Sequence, residues 1–155
     1  MSRADLAKEN FLNGYACAQA VFLAFSDLAG MDKETAMKIS LPFGGGLGRL
    51  RLTCGAVSGA AAVLGLVLAK SEVDPENKRE VYAAVQAFCR RFVAENKSLN
   101  CGELLRAAGL PAETQPSPEE RSAEYYRKRP CPQLVYSAAK ILEETLAGLS
   151  GGKIE

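Results

Sequence analysis

Helix-start signals recur along this 155-residue chain with no run of strand-like alternation between them, and four of the five cysteines sit on those signals. Thr53 stands directly before Cys54, and Asn100 directly before Cys101, each as a potential N-cap. Pro130 and Pro132 bracket Cys131 at the head of the last helical stretch, and Asn13 can cap a helix whose first turn carries Cys17. Elsewhere apolar residues return at spacings of three and four. The fold expected is therefore all-α, one domain over 1–155, built as a bundle of about six to seven helices with a glycine-rich loop before a central apolar helix.

The spacing predicts a short amphipathic helix over 4–11. A second is expected over 15–28, with Val21, Phe22 and Phe25 on one side and Gly30 at its end, and a third, capped by Asp32, runs to Ile39 before Pro42. After Phe43-Gly-Gly-Gly-Leu-Gly-Arg-Leu-Arg, an apolar helix is expected from Cys54 to about Ser71. Gly55 and Gly59 lie one turn apart in it, beside Ala56 and Ala60. Each glycine inside a helix costs about 1 kcal/mol relative to alanine, so the pair makes sense if another backbone or a bound group comes close there.

Asp74-Pro75 opens a long helix to about 96 with a stripe of Val81, Val85, Phe88, Cys89 and Phe92. A shorter helix follows over 100–108, ended by Gly109. Ser117-Pro118-Glu119-Glu120 reads as a capping box opening a charged helix to 128. The final helix, 132–149, turns Leu134, Val135, Ala138, Ile141, Leu142 and Leu146 inward, and the Ser-Gly-Gly-Lys tail should fray.

Composition removes several functions. Nineteen basic against eighteen acidic residues argue against a nucleic-acid binder working through a broad basic face. No histidine is present, so the usual near-neutral base and the usual nitrogen ligand for zinc or haem are missing. The opening Met-Ser-Arg-Ala-Asp has no apolar segment of the secretory kind, and the longest apolar run, 56–69, is short of the roughly 20 residues a membrane helix needs. The expected setting is cytoplasmic, without membrane insertion. Thiols stay reduced there, so cysteines are redox-active, metal-bound or buried rather than permanently bridged. A homodimer remains open, because a glycine-lined helix serves a dimer as well as a core.

Cys54 carries the strongest local case for chemistry. A helix start lowers a thiol's pKa, and Arg49 and Arg51 bring matching charge from the adjoining loop. Gly44, Gly45 and Gly46 let backbone N–H groups turn toward an anion. The plainer reading is a small apolar residue packed beside Gly55. Cys131 follows Arg127, Lys128 and Arg129. Cys101 has a capped helix start, but Glu103 opposes its ionisation, and packing alone could explain Cys17 between Ala16 and Ala18. Cys89 lies mid-helix on an apolar stripe and reads as core. There is no CxxC and no zinc-ribbon or ferredoxin spacing, and the glycine loop matches neither GxGxxG nor a P-loop.

Cys54-Gly55-Ala56-Val57-Ser58-Gly59 is a Cys-Gly-Ala-x-x-Gly element, with Cys17 far upstream and Cys101 and Cys131 downstream. In this the chain resembles a family of redox-active proteins named for the pattern C_GCAxxG_C_C, from about Tyr15 to the final helix. The resemblance marks Cys17, Cys54, Cys101 and Cys131 as the reactive set, with Gly55, Ala56 and Gly59 as the motif's small residues, and gives Cys89 no counterpart. It implies a small bacterial or archaeal protein with a redox role. Similar domains attached to electron-transfer proteins imply an iron–sulfur centre as an alternative.

Three readings follow. In the first, a thiol redox protein uses Cys54 as thiolate nucleophile with a second cysteine resolving the mixed disulfide, and exchanges electrons with an unidentified redox partner protein. In the second, the same four cysteines ligate an iron–sulfur cluster or zinc through sulfur alone. The third is an interaction domain whose cysteines merely pack.

Overall fold

Local capping decides where the helices begin. In the computed structural model, which describes residues 1–149, the chain forms α1 (Arg3–Leu12), α2 (Cys17–Leu23), α3 (Lys33–Ser40), α4 (Gly55–Leu68), α5 (Pro75–Asn96), α6 (Cys101–Ala107), α7 (Ala123–Lys128) and α8 (Cys131–Leu149). The Asp32 carboxylate accepts from the Thr35 amide, Asp74 from Glu76 and Asn77, and Asn100 from Glu103. Each cap satisfies N–H groups that have no partner within their helix. The all-α class is as read from the sequence, although the described residues hold eight helices rather than six or seven. The Ser-Gly-Gly-Lys tail lies outside them.

Four boundaries differ, one through a local contact and the others through residues outside the helix concerned. Asn13 ends α1 instead of capping the next helix, and α2 starts at Cys17 behind Ala16, whose amide donates to the buried Gln19 side chain. That helix stops at Leu23 and gives way to a 3-10 turn over Ser26–Ala29; Arg3 draws the Ala24 carbonyl and pairs with Asp27. The apolar helix α4 ends at Leu68 rather than near Ser71, because the Asn77 amide takes the Leu68 carbonyl and its oxygen accepts from Lys70 N–H. The capping box at Ser117 does not form. Residues 113–121 stay non-helical, with the Gln115 and Ser117 carbonyls held by Arg49, and α7 begins behind Ser122.

The core forms where α8 meets α1 and α5, and where α2 lies on α4. All six residues expected inward on α8 are buried. The glycine strip of α4 is used as expected. A Cβ on Gly59 would stand 2.7 Å from the Ala18 carbonyl oxygen, and one on Gly55 3.1 Å from both the Ala18 amide nitrogen and the Cys17 Cβ. Backbone therefore rests on backbone, and Cys17 sits against the head of α4. A second tie, an isolated antiparallel bridge between Thr53 and Asn100, has Cys54 N–H donating to Leu99 at 2.8 Å and Cys101 N–H to Leu52 at 2.6 Å. Among the described residues no helix is long and apolar enough to cross a membrane.

The two kinds of glycine in α4 separate in a stability measurement. Gly59→Ala is expected to cost about 1–3 kcal/mol, since its methyl meets backbone that cannot swing aside. Gly65→Ala, with no atom within 4 Å of its added Cβ, is expected to gain about 0.5–1 kcal/mol from helix propensity. Urea unfolding followed by circular dichroism reads both.

Candidate functional site

The site begins with an unusual turn. From Gly45 to Arg49 five successive residues hold φ between 55° and 74°, and Arg51 adds a sixth left-handed residue at 61°. For Leu47, Arg49 and Arg51 this conformation costs about 1–2 kcal/mol each, so the surroundings must hold it. Gly48 N–H donates to Pro42, and Leu52 N–H to Gly46, both at 2.8 Å. Gly46 admits no side chain: a Cβ would lie 2.6 Å from the Leu52 nitrogen and 2.7 Å from the Cys101 Cβ. The loop thus wraps under α6 and aims two arginines across the space beside it.

That space is a cavity of about 460 Å³, and Cys17, Cys54, Cys101 and Cys131 all line it. Three of them are the first residues of α2, α6 and α8, and Cys54 is the N-cap of α4. Folding gathers four sulfurs that are distant in sequence, all as free thiols. Gly44, Gly45, Gly46, Arg49, Arg51, Gly55 and Ala56 line the same space. Gly59 lies one turn deeper and serves packing. Cys89 is half-buried on α5, away from the cavity, as a core cysteine should be.

Sequence reasoning missed Arg121 and Tyr125. Residues 117–128 read as a capping box opening a charged helix, with no role given to Arg121, whereas Arg121 turns inward. It donates to the carbonyls of Phe11 at 3.0 Å and Tyr15 at 3.2 Å, and its guanidinium lies 4.4 Å from the Phe11 ring centre and 5.0 Å from that of Tyr125. The signal was the Tyr125-Tyr126 pair one turn onward, which offers faces on which a guanidinium stacks. Arg129 was seen only as part of a basic run. Arg127 and Lys128 pair outward with Glu124, while Arg129 stacks on Tyr125 at 4.7 Å and bonds Glu119 at 3.1 Å.

Burial reverses the expectation for Cys54. Desolvation pushes its thiol up to about 12, against the opposing pull of the Ala56 and Val57 amides. The flanking arginines serve other groups: Arg51 donates to the Cys101 sulfur at 3.7 Å and to the Glu113 carbonyl at 2.9 Å, and Arg49 holds the 115–117 backbone. Burial also raises Cys101, with Arg51 opposing. Cys131 moves the other way, down to about 7, first because Cys17 donates a hydrogen bond to it and then because Arg129 lies close. Cys17, holding the proton of that bond, is pushed up. The two titrate as one unit, in which Cys131 gives up its proton more readily than Cys17.

Among the described residues no three cysteine or carboxylate side chains converge closely enough to hold one metal ion. The donor set is all sulfur, but it surrounds a space rather than a point.

The family model described as "Putative redox-active protein (C_GCAxxG_C_C)" matches residues 15–145. A relative from Archaeoglobus fulgidus, described as "Uncharacterized protein", is 31% identical over 145 residues, covering 88% of this chain and 86% of its own. No solved structure matches.

Alkylation with iodoacetamide, followed by peptide mass spectrometry across pH, tests the electrostatics. Only the thiolate reacts, so Cys131 labelling should rise through a midpoint near 7, while Cys54 stays unlabelled to beyond pH 10. Cys54 labelling ahead of Cys131 would reverse the assignment.

Proposed function

The chain belongs to the C_GCAxxG_C_C family of redox-active proteins, and from that premise we propose that it is a dithiol–disulfide redox protein whose working pair is Cys131 and Cys17. The single observation behind this is that Cys17 and Cys131, the first residues of α2 and α8, line one cavity beside Arg129, with the Cys131 thiol drawn down and the Cys17 thiol pushed up by each other's presence. In the reaction the Cys131 thiolate attacks one sulfur of a substrate disulfide, forming a mixed disulfide and releasing the other half as thiolate. The Cys17 proton passes to that leaving group. Cys17, now a thiolate, attacks the Cys131 sulfur and expels the second half as a thiolate that takes its proton from water, so the substrate disulfide is reduced to two thiols and the pair is oxidised to a disulfide. A compartment that keeps thiols reduced, the cytoplasm, suits the resting dithiol.

Cys54 and Cys101 are held in reserve by this reading. Cys54 is buried and Cys101 half-buried, burial raises both thiols, and their place on the cavity wall supports a role as a second dithiol that reduces the Cys17–Cys131 disulfide and is itself oxidised to a disulfide. The rival all-cysteine metal carrier draws support from the same gathering of sulfurs but lacks a convergent ligand set. Iron and zinc analysis of anaerobically purified protein separates the two: a bound metal in stoichiometric amount overturns the dithiol reading. The packing-only reading is disfavoured by the concentration of guanidiniums around the same sulfurs.

The pair assignment predicts an asymmetry between variants. Cys17→Ser should trap the mixed disulfide on Cys131, seen by mass spectrometry as an adduct that persists. Cys131→Ser should give no adduct and lose disulfide reduction by at least about 100-fold, the scale expected when the only reactive thiolate is removed. A persistent adduct on Cys54 in either variant would sink the assignment.

A further inference from the structure

Of the charged side chains lining the cavity, four are guanidiniums (Arg49, Arg51, Arg121 and Arg129) and one is a carboxylate, Glu119. Their partners leave the positive charge largely uncancelled. Arg49 donates to the carbonyls of Gln115 and Ser117, Arg51 to Glu113 and a sulfur, and Arg121 to Phe11 and Tyr15. Burial, and then repulsion from Arg51 and Arg129, lowers Arg49's hold on its proton. A second observation is independent of these. The Arg129 side chain is only 9% exposed, and its buried Nε has no hydrogen-bond partner among the described residues. An unpaired buried guanidinium N–H is costly unless something else accepts from it. In a chain whose acidic and basic residues nearly balance, so much positive charge around one hollow is a local device.

We propose that the cavity takes a small anionic disulfide, a molecule joining a sulfur–sulfur bond to carboxylate groups, rather than a disulfide carried on a folded protein. The inference rests on the dithiol reading above and supplies its substrate class. The volume is within the roughly 300–1,000 Å³ of small-ligand sites. Cys131 and Cys54 are 8% and 5% exposed, too recessed for a disulfide fixed on another protein's surface to meet in line. The arginines bind the carboxylates and bring the sulfur–sulfur bond to Cys131. Cys131 opens that bond, Cys17 closes on Cys131, and two anionic thiols leave. The substrate itself is the oxidant.

Two disulfides of similar size test this on the full reduced chain: dithiodipropionate, with two carboxylates, and dithiodiethanol, which is neutral. Formation of the Cys17–Cys131 disulfide is followed by acid quench and mass spectrometry, and the rate ratio is normalised to that shown by a free small thiol. The dianion should be favoured by at least tenfold, with the preference shrinking as salt rises. Arg129→Gln should bring the normalised ratio toward one even though both rates fall, and Arg129→Lys should restore part of it. A ratio near one in the unaltered protein, with both disulfides oxidising the pair, overturns the anion claim and leaves the dithiol reading standing. Failure of both to oxidise the pair overturns that reading and this proposal together. The salt dependence needs no variant, so a misfolded Arg129 substitution leaves the test intact.

Discussion

The close approach of α2 to α4 is the contact from which the site follows. Helices with ordinary side chains between them pack with axes about 8–10 Å apart. Here Gly55 and Gly59 remove those side chains, and the Ala18 backbone takes their place. The consequence is positional. Cys17, at the head of α2, is set against the head of α4, and α8 packs on both helices with Cys131 at its own start. The Thr53–Asn100 bridge does for Cys54 and Cys101 what the glycine strip does for Cys17. Two backbone contacts thus converge four helix starts on one hollow, with no disulfide needed to hold them.

Inside that hollow two effects of opposite sign compete for each sulfur. Removing a thiol from water favours its neutral form, while a helix start, a guanidinium or a donated hydrogen bond favours its anion. At Cys54 desolvation wins, because its helpers are two backbone amides and both loop arginines point elsewhere. At Cys131 the helpers win, because it has a thiol donor in Cys17 and the charge of Arg129. The four thiols are therefore not equivalent: Cys131 is moved down while Cys17, Cys54 and Cys101 are moved up. Four equivalent thiolates would repel one another and would need a metal to neutralise them.

The fold class and the long elements were legible because they depend on local signals. The cap at Asp74 with Pro75, and the inward row from Leu134 to Leu146, needed nothing from elsewhere in the chain. The glycine strip was legible too, since a residue that weakens a helix twice on one face requires a reason. What was hidden was set by distant partners. Asn77 shortens α4, Arg3 ends α2 early, and Arg49 keeps the 115–117 backbone from becoming a helix turn. The direction in which burial moves the Cys54 thiol was hidden for the same reason. Basic neighbours in sequence suggested Cys54, but neighbours in sequence need not face a side chain, and burial cannot be read from adjacency.

The left-handed loop explains why the arginines face inward at all. Each non-glycine residue held at positive φ is unfavourable on its own, and three of them are held here: Leu47, Arg49 and Arg51. From this loop Arg51 reaches the Cys101 sulfur and, in the 113–117 segment, the Glu113 carbonyl, and Arg49 reaches the carbonyls of Gln115 and Ser117. That segment then roofs the cavity with Pro116 and Pro118, neither of which brings an N–H that would need a partner. The strain and the roof are one arrangement: relaxing Arg51 to an ordinary φ would turn its side chain out, release the Glu113 carbonyl and open the cavity to water. Water at the sulfurs would weaken the desolvation that keeps Cys54 neutral and screen the charge that keeps Cys131 ionised, so the contrast between the two cysteines depends on the backbone of a loop that contains neither.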